Sequence, residues 1–145
     1  MNGADTVRQI YLQYAADADA AERRHSPADG LFGLGKRAAD DPCHTAFLES
    51  LSAALTAFRQ ENPDSAAVRE VLACIYEAPA AHRQTPAVYW MMIAAHGLTA
   101  ELTGCLNKED AAALHSAYGR QYRRWERLPV QREIFRALKR AAEGG

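Results

Sequence analysis

Cys43 and His44 are adjacent, and a thiol beside an imidazole is the least equipment that nucleophilic catalysis needs. Asp41-Pro42 precedes them and reads as a helix start, with Pro42 at the first position, so both fall in a first turn. The positive end of a helix favours a thiolate, and the position predicts a lowered Cys43 pKa. Against this, neighbours on a helix point about 100° apart and rarely face each other. The plainer expectation is a small buried cysteine beside a helix-terminal histidine.

His96 is the second residue able to do chemistry. A metal site would need His44, Cys74, His96, Cys105 and His115 to converge, and no His-x-x-x-His or Glu-x-x-His spacing prepares that. No metal and no cofactor is therefore expected, and His96 reads as a core histidine bonded to a carbonyl or a tyrosine hydroxyl. Glu77 and Glu101 flank it in sequence, and only the fold would bring them to one cavity as a carboxylate pair. Cys43, His44 and His96 stand as candidates for a ligand pocket, with Glu101 as a candidate neighbour. An enzyme or metal protein built on them is the third reading of the chain.

Phosphate chemistry has two candidates. Gly30-x-x-x-x-Gly35-Lys36 supplies the glycines and the lysine of a phosphate-cradling loop. However, Arg37 stands where a Ser or Thr would hold magnesium, and a helix precedes the loop where a strand is needed. A surface loop turned by its glycines is the expectation, with Lys36 and Arg37 as anion contacts at most. The other candidate is the C-terminal segment. Residues 120–145 hold eight Lys/Arg against three Glu, a net of +5, while residues 1–119 hold nine against fifteen, a net of −6. Arg132, Arg136 and Arg140 form a ridge at i, i+4, i+8. Such a ridge suits phosphates, with Tyr122 and Trp125 near enough in sequence to stack on bases. The same two aromatics also continue an apolar stripe, which makes them core candidates. A solvated basic face, or a ridge paired with the acids of the body, is the commoner outcome for such a segment, and docking on the acidic body is the one expected here.

The elements that must position these residues read as helices. Thirty alanines against nine Val plus Ile favour helix over sheet. Asp5 reads as the cap of a first helix, with Val7, Ile10, Tyr11, Tyr14 and Ala18 at helical spacing. The second carries Phe47, Leu48, Leu51, Leu55 and Phe58 and stops at Asn62-Pro63. The third carries Val68, Val71, Leu72 and Ile75 and stops at Ala78-Pro79. The fourth, about residues 87–103, is apolar nearly all round and so predicts a buried central helix. Thr85 and Pro86 open it, Gly104 closes it, and Met91, Ala95, Leu98 and Leu102 form its stripe. Trp90 should be buried with them. Asn107 caps the fifth, with Asp110 as reciprocal cap and Leu114, Tyr118, Tyr122 and Trp125 as stripe. A sixth follows Pro129, with Val130, Ile134 and Leu138 inward.

The whole is an all-α chain: one domain over residues 1–145, a single compact bundle of about six helices. Its longest apolar run is nine residues, too short for a membrane span, and no secretory signal is visible. Three cysteines without a C-x-x-C pair suit a reducing cytoplasm. The leading functional reading is a non-catalytic module that binds a protein or a small ligand. Nucleic-acid binding through the basic C-terminal segment is second.

Overall fold

The computed structural model describes residues 2–25, 38–81 and 85–144. Among them are six α-helices and no strand: α1 (Gly3–Arg24), α2 (Cys43–Gln60), α3 (Ser65–Ala81), α4 (Pro86–Ala94), α5 (Lys108–Gln121) and α6 (Pro129–Glu143). Tighter 3-10 segments cover Ala38–Asp40, Ala95–Cys105 and Arg124–Glu126. No described helix is long and apolar enough to cross a membrane.

Most helix ends follow the side chains that satisfy orphan backbone groups. Asn2, not Asp5, caps α1, its Oδ1 accepting from the Asp5 N–H at 2.8 Å. A cap lies three residues before the N–H it satisfies, so Asp5 falls in the first turn, where its charge suits the dipole. Asp41 Oδ1 accepts from the Cys43 N–H at 3.0 Å, and Asp64 Oδ1 from the Ala67 N–H at 2.8 Å. Asn62, at φ 52°, turns the chain out of α2. Gly144 ends α6 in the left-handed region, φ 74°.

Proline does not stop α3. The helix passes through Pro79 to Ala81. Pro79 has no N–H for the Ile75 carbonyl, so one bond of the helical ladder is missing there. The neighbouring Tyr76 carbonyl instead accepts from the Tyr122 hydroxyl at 2.5 Å and Gln121 Nε2 at 2.9 Å. Side chains from the end of α5 thus tie down the last turns of α3.

The central helix changes type. Thr85 caps α4 as expected, but the α-helix ends at Ala94 and a 3-10 helix continues to Cys105, carrying Gly104 inside it. At three residues per turn, every third residue shares a face. Ile93, His96, Thr99 and Leu102 are accordingly buried. Of the stripe drawn at α-helical spacing, Ala95 and Leu102 are buried but Leu98 is 36% exposed, and Trp90, expected to be buried with it, is 54% exposed. Met91 is only half-buried, and the Trp90 indole packs edge-on against Tyr89 at 5.3 Å. The segment is central, though it is not buried all round.

The core forms where α1 packs on α2 and α3, α5 on α6, and the 3-10 segment on α6, α3 and α2. Tyr14, Leu51, Leu72, Ile75, Met92, Ile134 and Leu138 are among its fully buried side chains. α5 stops at Gln121, where Tyr122 turns extended, and does not run on to Leu128. Trp125 therefore leaves the α5 stripe and is 77% exposed.

Candidate functional site

The chemistry-bearing residues fall in three separate places. At the first, Asp41 tethers the start of α2. Its carboxylate takes the Cys43 N–H, Arg24 at 2.8 Å and His25 at 3.2 Å, which together hold it far below the usual carboxylate range. Burial and the Asp41 carboxylate push the Cys43 thiol up to about 11. The expected lowering by the helix end is overturned, because desolvation and a nearby anion both disfavour the thiolate. His44 lies turned away, in the core. Its Nε2 is 2.9 Å from the Ala38 carbonyl, which can only accept, so Nε2 carries a proton. Nδ1 lies 2.7 Å from the Tyr14 hydroxyl. Both ring nitrogens are engaged in holding α1, α2 and the Ala38–Asp40 turn together.

The second place is an aromatic cluster around His96, which is fully buried. Its Nδ1 is 2.9 Å from the Tyr118 hydroxyl, and Tyr76 and Tyr122 lie edge-on to the ring at 5.1 and 5.6 Å. Thr99 Oγ1 donates to the His96 carbonyl at 2.8 Å and so accepts from the Tyr76 hydroxyl at 2.7 Å. Burial pushes the His96 pKa down to about 4. The Ile75 carbonyl pulls the other way, although Nε2 has no hydrogen bond of normal geometry. This is the core histidine the sequence suggests.

These groups do not converge. Glu101 forms an ion pair with Arg59 on the α2 side of the 3-10 segment. Glu77 lines a different groove, between α1 and α3, so the two glutamates make no carboxylate pair. Among the described residues, no three His, Cys, Asp or Glu side chains gather as a metal site. Lys36, Arg37 and the glycine loop lie outside the described residues.

The third place is the cationic surface. Arg132, Arg136 and Arg140 all project from the exposed side of α6. Between α6 and the 3-10 segment runs a groove of about 470 Å³. Gly97, Ala100 and Thr103 form one wall, and Glu133, Arg136 and Arg140 the other. The small-residue wall does not show at α-helical spacing, because Gly97, Ala100 and Thr103 align only at three residues per turn. Arg127 fixes the approach to this surface. Its Nε donates to the Tyr122 carbonyl at 2.8 Å and its guanidinium stacks 4.0 Å from the Phe135 ring. Arg132 Nη1 donates to the Arg127 carbonyl at 2.9 Å. Trp125 stands exposed on this tethered stretch, with the Arg123 guanidinium 5.9 Å from its ring centre. Tyr122, the other aromatic with a stacking role in prospect, is in the core.

No protein-family model, curated protein or solved structure matches this chain.

Proposed function

We propose that the chain is a non-catalytic helical module that works by binding, and that its contact surface is the cationic C-terminal segment. One observation carries this. Among the described residues, the ion pairs take their cations from Arg8, Arg24, His25, Arg59 and Arg69, and none from Arg120 onward. The ridge expected to dock on the acidic body does not dock there. Its charge faces solvent, and an anionic partner is its natural complement. The residues suited to catalysis are occupied otherwise: His44 is bonded at both nitrogens, Cys43 is held as a thiol and His96 is sealed in the core.

The test is retention on immobilised heparin, a polyanion without bases, across a salt gradient. Wild type should elute well above the salt at which a neutral surface elutes, and the triple variant Arg132→Gln, Arg136→Gln, Arg140→Gln should elute early with its helicity intact. Wild-type flow-through at low salt would end the proposal.

A protein partner is the second reading, favoured by the exposure of Trp90 and Leu98 on the central segment. Leu98 sits with Leu55 and Leu102 in a groove of about 510 Å³ rimmed by the Arg59–Glu101 pair. Binding that Trp90→Ala or Leu98→Ala abolishes, at unchanged heparin retention, would favour this reading.

A further inference from the structure

We infer that the anionic partner is single-stranded nucleic acid, with Trp125 as the platform for a base and the α6 groove as the track for its phosphates. This rests on the cationic-surface reading and adds to it the class of ligand.

Four observations point the same way. First, Trp125 is 77% exposed, the most open of the large apolar side chains described. Second, looseness does not explain that exposure. The stretch is pinned on both sides by the Arg127 bond to the Tyr122 carbonyl, the Arg132 bond to the Arg127 carbonyl and the Leu128 N–H bond to Gln131 Oε1 at 2.9 Å. Third, the Arg123 guanidinium lies 5.9 Å from the indole ring centre, so a base stacked at this platform would have its own phosphate beside a cation. Stacking on an aromatic ring beside a cationic groove is how single strands are bound without sequence preference. Fourth, the ridge continues from that platform. Arg132 contacts the Arg127 carbonyl, and Arg136 and Arg140 follow at steps of about 6 Å along the helix. The facing wall is low at Ala100, which carries only a methyl group, while Gly97 brings the 3-10 segment close against Val130 and sets the floor of the groove.

Duplex fits less well, because its bases are stacked on one another and offer no face to a lone indole. An anionic membrane fits less well too. Ile134 and Leu138, the apolar side of α6, are already in the core, and from Arg120 onward Trp125 is the one exposed large apolar side chain described.

The experiment measures fluorescence anisotropy of labelled oligothymidine of about twenty nucleotides, longer than one such binding site. A matched duplex, labelled heparin and vesicles containing phosphatidylserine are run in parallel on the full chain. Wild type should prefer the single strand. Trp125→Ala should weaken oligothymidine binding at least about five-fold, the low end for loss of one base–aromatic stack, and leave heparin unchanged. Trp125→Phe should recover part of the loss. Arg136→Gln with Arg140→Gln should weaken both ligands and flatten the logarithmic salt slope for the single strand by about 0.7 for each phosphate no longer neutralised. Glu133→Gln should tighten both. Equal oligothymidine binding by wild type and Trp125→Ala would overturn the inference while heparin retention keeps the cationic-surface reading alive. A preference for duplex or for vesicles would overturn it in the same way. Failure to bind heparin and oligothymidine alike would remove the underlying reading and the inference together.

Discussion

At His96, burial overrides the ordinary basicity of an imidazole. The ring has no solvent and one hydrogen-bonded nitrogen, so a proton there would sit in a wall of tyrosines. With its pKa near 4 against an ordinary 6.5, the folded chain refuses a proton that the unfolded chain accepts. His96 thus supports the fold fully above about pH 6.5, and that support is lost as pH falls toward 4, a change on the order of 3 kcal/mol. His115, also lowered by burial, acts in the same sense, and Asp41 adds a further loss below its ordinary 3.8. NMR titration should show the His96 imidazole neutral at pH 5, and urea melts should show lower stability at pH 4.5 than at pH 7. An imidazole that titrates near its ordinary value would refute the buried placement. Trp90 behaves oppositely. Half its surface is open, so Trp90→Ala should shift the unfolding free energy by under about 1 kcal/mol, where a core tryptophan would cost about 3–5. A loss of core size in a urea melt would return it to the interior. The sequence supports a core histidine at His96 because nothing around it forms a ligand spacing. It cannot rank Trp90, because an all-apolar stretch has no polar face to say which side meets water.

Among the elements, what could be read in advance follows locality. The caps of α3, α4 and α5 are the side chains of Asp64, Thr85 and Asn107, three residues from their targets, and that rule singles out Thr85 and Asn107 in the sequence while leaving α3 open between Asp64 and Ser65. What escaped depends on distant chain. Asp110 does not reach back to its own cap. Its carboxylate accepts instead from Ser65 Oγ at 2.5 Å and Arg69 at 3.1 Å, and Ser65 Oγ accepts from the Asn107 N–H at 2.8 Å. The reciprocal half of the cap is thus supplied by α3, a partner 42 residues away in the chain. These bonds hold the Asp110 carboxyl below its ordinary range. Ser65→Ala should therefore loosen two helix starts at once and cost about 0.5–1.5 kcal/mol, since it removes the acceptor of the exposed Asn107 N–H and a donor to Asp110. Faster amide exchange over the first turn of α5, with α1 unchanged, is the expected signature, and an unchanged melting temperature would contradict it. Distant residues also tie down the last turns of α3. The Tyr76 carbonyl finds its partners in Gln121 and Tyr122, which no local rule for a helix end includes.

For the whole molecule, charge is distributed in the sequence but its pairing is decided by the fold. The basic excess after residue 119 is plain from composition, and it suits equally an external partner and an internal dock. The orientation of α6 separates the two. Ile134 and Leu138 must enter the core, and a ridge at Arg132, Arg136 and Arg140 then lies on the outer side, where among the described residues it forms no ion pair with the acids of the body. Like charges crowded on one surface repel in the folded state more than in the expanded chain. Removing some of them should therefore cost no stability. Arg136 and Arg140 are the right pair for this, because Arg132 also donates to a backbone carbonyl and would confuse the result. Arg136→Gln with Arg140→Gln should melt at the wild-type temperature or slightly above it in low salt. Added salt should raise the wild type toward the variant, since screening removes the repulsion that the substitutions remove. If the ridge were instead paired with the body, the same substitutions would lower the melting temperature and added salt would lower the wild type, each exposed pair being worth about 0–1 kcal/mol. The two arrangements predict opposite signs in one calorimetric experiment, and the outward-facing ridge requires the first.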